Sequence, residues 1–114
     1  MNAETSPIDP AAWRELQDSA GAEFAVELAG TFLEESPGLL AEIERTHAQG
    51  DAEAFRRAAH SLKSNALTFG ATALAQQARA LELAPLATAD ATALAALRSV
   101  HDAAAAALRE LIRG

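Results

Sequence analysis

One histidine in this sequence has neighbours that could support nucleophilic chemistry. His60 is followed by Lys63 and the small residue Ser64, and it is preceded by Arg56. On a helix these spacings place all four side chains on one side. An exposed imidazole is mostly neutral at pH 7 and can attack an electrophile, and Lys63 could pair with the anion formed by the attack. The same residues also fit an ordinary solvated helix surface, so spacing alone leaves both interpretations open.

The helix that carries His60 is predicted from Asp51 to about Phe69. Asp51 is a favourable N-cap, and Gly70 is typical of a helix end. On a helical wheel the apolar residues fall within about 60° of Phe55, and we expect this set to face the core: Phe55, Ala58, Ala59, Leu62, Ala66 and Phe69. His60 and Leu67 lie about 140° and 120° from Phe55, so both are predicted to be exposed.

Two helices are predicted before this segment. Asp9 and Pro10 are favourable N-cap and first-turn residues for a short helix that ends between residues 19 and 21. A long helix then covers residues 22–49, with Pro37 inside it. The apolar residues on its core face recur in one register on both sides of Pro37, which favours one kinked helix over two: Phe24, Leu28, Phe32, Leu39 or Leu40, and Ile43.

Two further helices are predicted over residues 71–84 and 90–113, joined by a loop at 85–89. The connections are short, and short connections make consecutive helices antiparallel neighbours. The fold class is therefore predicted to be all-α, an up-down antiparallel four-helix bundle with a short additional N-terminal helix. Residues 1–114 are expected to form a single domain, with residues 1–7 disordered.

The composition disfavours several classes of function. The 114 residues contain 9 Lys plus Arg against 16 Asp plus Glu, and the net charge is −7. This acidic balance and the low aromatic content argue against nucleic acid as a partner. The absence of Cys excludes disulfides and thiolate metal sites. No apolar stretch long enough for a membrane span and no signal peptide are found, so we expect a cytoplasmic protein that does not bind membranes.

The segment from Ala59 to Ala71 resembles the signature of histidine-containing phosphotransfer (HPt) domains. That signature reads roughly A-H-x-L-K-[GS]-x-[SA]-x-x-x-G-A, and the segment here is AHSLKSNALTFGA. Leu74 and the pair Leu81-Glu82 match the helix that follows in the family, and the upstream stretches FLEESPGLLAEI and GDAEAFRRAAH are similar as well. The resemblance is strongest over residues 24–82 and extends acceptably over the whole length. Ser64 occupies a position where Gly is the commonest residue of the family and Ser is a tolerated small substitute.

The resemblance implies that His60 accepts a phosphoryl group from an aspartate of one receiver domain and passes it to another. Lys63 would neutralise phosphate charge, and Glu82 would hydrogen-bond one ring nitrogen so that Nε2 is the nucleophile. Ser64 would leave the ring accessible. Arg56 and Leu67 would contact the partner.

The remaining expectations concern partners, cofactors and the other histidines. Gly70 is expected to have a structural role, and His47 and His101 are also interpreted as structural. The resemblance implies receiver domains and a hybrid histidine kinase as partners of a monomeric phosphoryl carrier. It implies no cofactor or metal in this chain, because the receiver supplies Mg²⁺. The sequence also contains no glycine-rich phosphate loop that could bind ATP.

Two alternatives to a phosphoryl carrier are compatible with a helical bundle of this kind. The first is an HPt-like helical adaptor that binds a receiver or kinase without being phosphorylated, and the presence of both His60 and Lys63 disfavours it. The second is the histidine-bearing domain of a chemotaxis-type kinase, which is normally joined to dimerisation and ATP-binding domains. Met1 at the start favours a free protein over a domain of a larger kinase.

Overall fold

The computed structural model describes residues 7–113, and all the regular secondary structure in that range is helical. The α-helices are α1 (Pro10–Ala20), α2 (Ala22–Gln49), α3 (Ala52–Thr68), α4 (Thr72–Leu83) and α5 (Ala91–Arg113), and a short 3₁₀ helix covers Leu86–Thr88. The five predicted helices are thus confirmed to within about two residues. Residues 1–6 of the segment expected to be disordered lie outside the described residues, and Pro7 lies within them.

Aspartates and glycines set the helix ends as the sequence predicts. The side chains of Asp9, Asp51 and Asp90 each accept a hydrogen bond from a backbone amide in the first turn that follows, at 2.8 to 3.1 Å. These bonds satisfy amides that have no partner inside the helix. Gly50 and Gly70 have φ angles of 73° and 70°. That left-handed conformation ends α2 and α3 and favours glycine.

The long helix α2 continues through Pro37, which confirms the prediction of one helix. Its buried residues are Ala25, Ala29, Phe32, Ser36, Leu40, Ile43 and Thr46. The prediction that Phe24 lies on the core face was wrong, because its side chain is 51% exposed. In the first two turns of α2 the buried residues are Ala25 and Ala29. Each follows directly after a large apolar residue of the predicted face, Phe24 or Leu28, so the observed core face is shifted by one residue.

The helices form a bundle around a continuous apolar core. Helix α2 packs against α1, α3 and α5, and α4 packs against α3 and α5. The contacts among α2, α3, α4 and α5 therefore close a ring. The predicted core face of α3 is confirmed, since all six of its residues are buried: Phe55, Ala58, Ala59, Leu62, Ala66 and Phe69. No helix within residues 7–113 is long and apolar enough to cross a membrane.

Two histidines link parts of the bundle. His101 is only 4% exposed. Its Nε2 lies 2.7 Å from the hydroxyl of Ser36 on α2, and its Nδ1 lies 2.9 Å from a carboxylate oxygen of Asp102. His47, near the end of α2, has its Nε2 2.7 Å from the backbone carbonyl of Ala89. Both rings therefore hold α2 to later parts of the chain, as expected of structural residues.

Candidate functional site

His60 projects from the middle of α3 into solvent. Its side chain is 56% exposed, whereas the adjacent Ala59 and the nearby Leu62 are fully buried. The buried face fixes the rotation of α3 about its axis and holds the imidazole on the outer side. The exposure predicted from the helical wheel is confirmed.

Glu82, near the end of α4, contacts both His60 and Lys63. Its Oε2 lies 2.7 Å from Nδ1 of His60, and its Oε1 lies 2.9 Å from Nζ of Lys63. An ionised carboxylate can only accept hydrogen bonds, so Nδ1 carries the proton that it donates to Glu82. In a neutral ring the lone pair is then on Nε2. The packing of α4 against α3 thereby fixes the tautomer of His60.

The electrostatics of this group keep Glu82 ionised. Lys63 most strongly, and then His60, lower the pKa of Glu82 from its ordinary value of 4.5, while partial burial acts in the opposite direction. Its side chain is 15% exposed, and that of Lys63 is 21% exposed. Oε1 is shielded from solvent and accepts no hydrogen bond of good geometry. The ammonium of Lys63, in an ion pair, therefore compensates the charge at that oxygen.

The other residues proposed from the sequence lie on both sides of His60 along α3. Ser64 is exposed one turn after His60, and Leu67 is 58% exposed beyond it. Arg56 is exposed one turn before His60 and makes no ion pair within residues 7–113, whereas the neighbouring Arg57 pairs with Glu53 at 3.0 Å. The structure thus places Arg56, His60, Ser64 and Leu67 along one helix.

Sequence reasoning missed most of the residues that line two of the grooves beside this helix. One, of about 370 Å³, lies beside the imidazole and is lined by Glu53, Arg56, Arg57, His60, Ser61 and Glu82. The other, of about 130 Å³, lies between α2 and α3 and is lined by Leu28, Thr31, Phe32, Glu35, Asn65, Thr68 and Phe69. Residues from different helices form each groove, and no spacing along the chain indicates that they meet.

Gly70 lies where α1 meets the end of the site helix. The backbone amide of Asp9 donates a hydrogen bond to the Gly70 carbonyl at 2.9 Å. A Cβ at Gly70 would lie 2.5 Å from Cβ of Ala12 and 2.9 Å from Cβ of Asp9. These distances are too short for any side chain, so the close approach of α1 requires glycine there.

Comparison with known proteins identifies the family. A family model for the Hpt domain matches residues 27–111, which is well over half of the chain, and the protein therefore belongs to the Hpt domain family. Hpt domains are phosphocarrier modules of two-component signalling and interact with receiver domains. Neither a curated protein nor a solved structure gives a significant match. The part of the chain that the structure describes contains no cluster of three or more metal-ligating side chains.

Proposed function

We propose that this protein accepts a phosphoryl group on Nε2 of His60 from a receiver-domain aspartate and passes it to another receiver. The observation that carries the proposal is the double contact of Glu82. Its carboxylate accepts from Nδ1 of His60 at 2.7 Å and pairs with Lys63 at 2.9 Å. This arrangement leaves an exposed ring nitrogen with a free lone pair next to a cation.

The proposed transfer exchanges one bond for another between the two proteins and needs no further reactant. The lone pair of Nε2 attacks phosphorus, and an N–P bond forms as the P–O bond to the aspartate breaks. The aspartate leaves with the electron pair as a carboxylate. The ring becomes positively charged and keeps its proton on Nδ1, where Glu82 stabilises it. Transfer to the second receiver is the same step in reverse.

Lys63 and the partner would share the stabilisation of the moving charge. Phosphoryl transfer depends on positioning and electrostatics, and a cation beside the transferred group stabilises its oxygens. Lys63 is the only lysine of the chain, and in our proposal it turns from Glu82 towards the phosphoryl group. We expect the receiver to supply an acidic pocket and Mg²⁺. The protein itself would be a carrier with no cofactor, metal or ATP site.

The proposal also covers the oligomeric state of the protein, its place in a relay and its cellular location. We propose a monomeric, up-down antiparallel bundle that receives phosphate within a relay started by a hybrid histidine kinase. We place it in the cytoplasm, because the chain has no Cys and suits a reducing compartment. The alternative, an adaptor that is never phosphorylated, would need neither the Nδ1 contact nor Lys63.

Substitution of His60 tests the proposal. His60→Gln should fold normally, because an exposed side chain leaves no cavity, and it should accept no phosphate from a radiolabelled phosphorylated receiver. His47→Gln is the matched control, since Gln can still donate to the Ala89 carbonyl, and it should be labelled as well as wild type. The label should be acid-labile and base-stable. Label of that kind on His60→Gln, or none on the wild type with any receiver of a broad panel, would contradict the proposal.

A further inference from the structure

The surface around His60 differs in charge and polarity between the two ends of the exposed face of α3. Arg57 and Lys63 lie near the imidazole but are paired with Glu53 and Glu82. Arg56 is the cation here that forms no ion pair within residues 7–113.

Beyond Ser64 the exposed face of α3 becomes apolar at Leu67. On the α2 side of this end of the helix, the groove between α2 and α3 has one charged residue, Glu35, among its lining. A partner that covers this surface and reaches its α2 side meets Arg56 at one end and the carboxylate of Glu35 at the other.

One edge of the groove lies within the area that a receiver docked on His60 would cover. A stable interface covers about 800 Å² of each partner, which corresponds to a disc of about 16 Å radius. Asn65 and Thr68 line the groove, and helix geometry places them about 8 Å and 12 Å along α3 from His60. Thr68 also lies only about 80° round the helix from His60, so a receiver centred on His60 reaches the Thr68 edge of the groove.

Glu35 has no cationic partner of its own. Its side chain is exposed and forms no ion pair within residues 7–113. Around it are Leu28, Phe32 and Phe69, which give this groove an apolar wall. Covering a carboxylate beside apolar side chains removes its water, and a positive charge on the partner offsets that loss most strongly.

We propose that Glu35 is a specificity-determining residue that selects receivers carrying Lys or Arg where they cover the groove between α2 and α3. The inference rests on the proposed function, because it takes the receiver that exchanges phosphate with His60 as the occupant. It goes further by naming the partner's chemistry. A suitable receiver has an acidic reacting pocket and, roughly 10 Å from it along α3, a cationic side chain next to an apolar one.

Charge reversal at Glu35 tests the inference. Glu34→Lys is the matched control, because Glu34 is the adjacent exposed glutamate of α2 and does not line the groove. The probe is a panel of receivers phosphorylated with phosphoramidate, of which the receiver that transfers fastest to wild type is used. For Glu35→Lys we expect the KM for phosphoreceiver to rise at least tenfold with kcat changed less than threefold. For Glu34→Lys we expect KM within threefold of wild type, and circular dichroism should show both variants folded.

A reciprocal change in the receiver completes the test. Replacing the receiver's cation with Glu should restore transfer to Glu35→Lys and impair transfer to wild type. Equal KM values for Glu35→Lys and Glu34→Lys, or no rescue by any such change, overturn the inference while phosphorylation of His60 stands. Failure of the wild type to accept phosphate from every receiver overturns the proposed function instead. Receiver binding, measured by calorimetry, would in that case still show whether Glu35→Lys weakens docking more than Glu34→Lys.

Discussion

At the scale of single residues, the carboxylate of Glu82 contacts two side chains of the candidate site. Glu82 fixes the proton of His60 on Nδ1 and neutralises Lys63, at 2.7 Å and 2.9 Å. The contact with His60 holds the carboxylate in the position that pairs with Lys63, and the contact with Lys63 holds it in the position that accepts from His60. The three side chains are therefore positioned together. Because Lys63 and His60 lower the pKa of Glu82, the arrangement remains intact at neutral pH.

The lowered pKa of Glu82 predicts a pH-dependent contribution to stability. Its pKa is below 4.5 in the folded protein, so the ionised group stabilises the fold at pH values above the unfolded pKa, and the contribution is lost as pH falls through the folded pKa. Glu82→Gln should therefore have a smaller free energy of unfolding than wild type at pH 7, and the difference should shrink towards pH 3.

The measurement is urea unfolding of both proteins at intervals across this pH range. Subtracting the two curves removes the titration of the other carboxylates that the proteins share. A difference in the free energy of unfolding that stays constant with pH would show that the charge of Glu82 does not stabilise the fold.

At the scale of elements, α3 presents the reacting side chain and sets the space around it. Ser64 lies one turn beyond His60 and is exposed. Side chains of a helix lean towards its N-terminus, so the residue at position 64 partly covers the imidazole. The size of that residue should therefore control access by a partner.

Substitutions at Ser64 should separate helix stability from access. Ser64→Gly should transfer phosphate nearly as fast as wild type, at a cost of about 0.5 kcal/mol in stability from helix propensity. Ser64→Leu should keep its helicity, because Leu is a good helix former, and should slow transfer at least tenfold. Circular dichroism and transfer from a phosphorylated receiver are measured on the same samples. Wild-type transfer by a folded Leu variant would refute the assigned geometry.

A second prediction at this scale concerns the junction of α1 with the end of α3. Gly70→Ala should cost about 2–4 kcal/mol, because it combines a positive φ with a Cβ only 2.5 Å from that of Ala12. Gly50→Ala is the control, since Gly50 has nearly the same φ of 73° with no atom within 4 Å of the added Cβ, and it should cost about 1 kcal/mol. Urea unfolding measures both, and equal losses would mean that α1 does not press on Gly70.

At the scale of the whole molecule, a buried polar contact joins two long helices. The hydroxyl of Ser36 on α2 lies 2.7 Å from Nε2 of His101 on α5, and both residues are buried. The contact includes none of the residues at the candidate site. Stability and phosphotransfer should therefore be separable in this protein.

Removing the Ser36 hydroxyl tests that separation. Ser36→Ala leaves a buried ring nitrogen without a partner and should lower the free energy of unfolding by about 1–3 kcal/mol. Ser99→Ala makes the same chemical change at an exposed position of α5 and should alter stability by less than about 0.5 kcal/mol. Thermal and urea unfolding give the stabilities. Both variants should transfer phosphate at the wild-type rate, and slower transfer by Ser36→Ala would link the core to the site.

The features that depend on near neighbours in the chain could be predicted from the amino-acid sequence. The aspartate caps and the glycines with positive φ follow from local backbone chemistry, and the helix ends were predicted to within about two residues. The exposure of His60 followed from the period of the helix, because the apolar residues of α3 fall on one face. The motif from Ala59 to Ala71 was enough to recognise the family that the comparison then identified.

How residues on different helices meet depends on the packing of those helices, and only the family resemblance, not the spacing of the residues, indicated that Glu82 reaches His60. His60 and Glu82 are 22 positions apart, and their 2.7 Å contact exists only because α4 packs against α3 in one rotation and register. For the same reason the sequence did not reveal the groove that contains Glu35. Phe24 was misplaced because a helix with both alanines and large apolar residues has more than one possible core face. Which face is buried depends on how closely the neighbouring helices approach, and small side chains permit the closest approach.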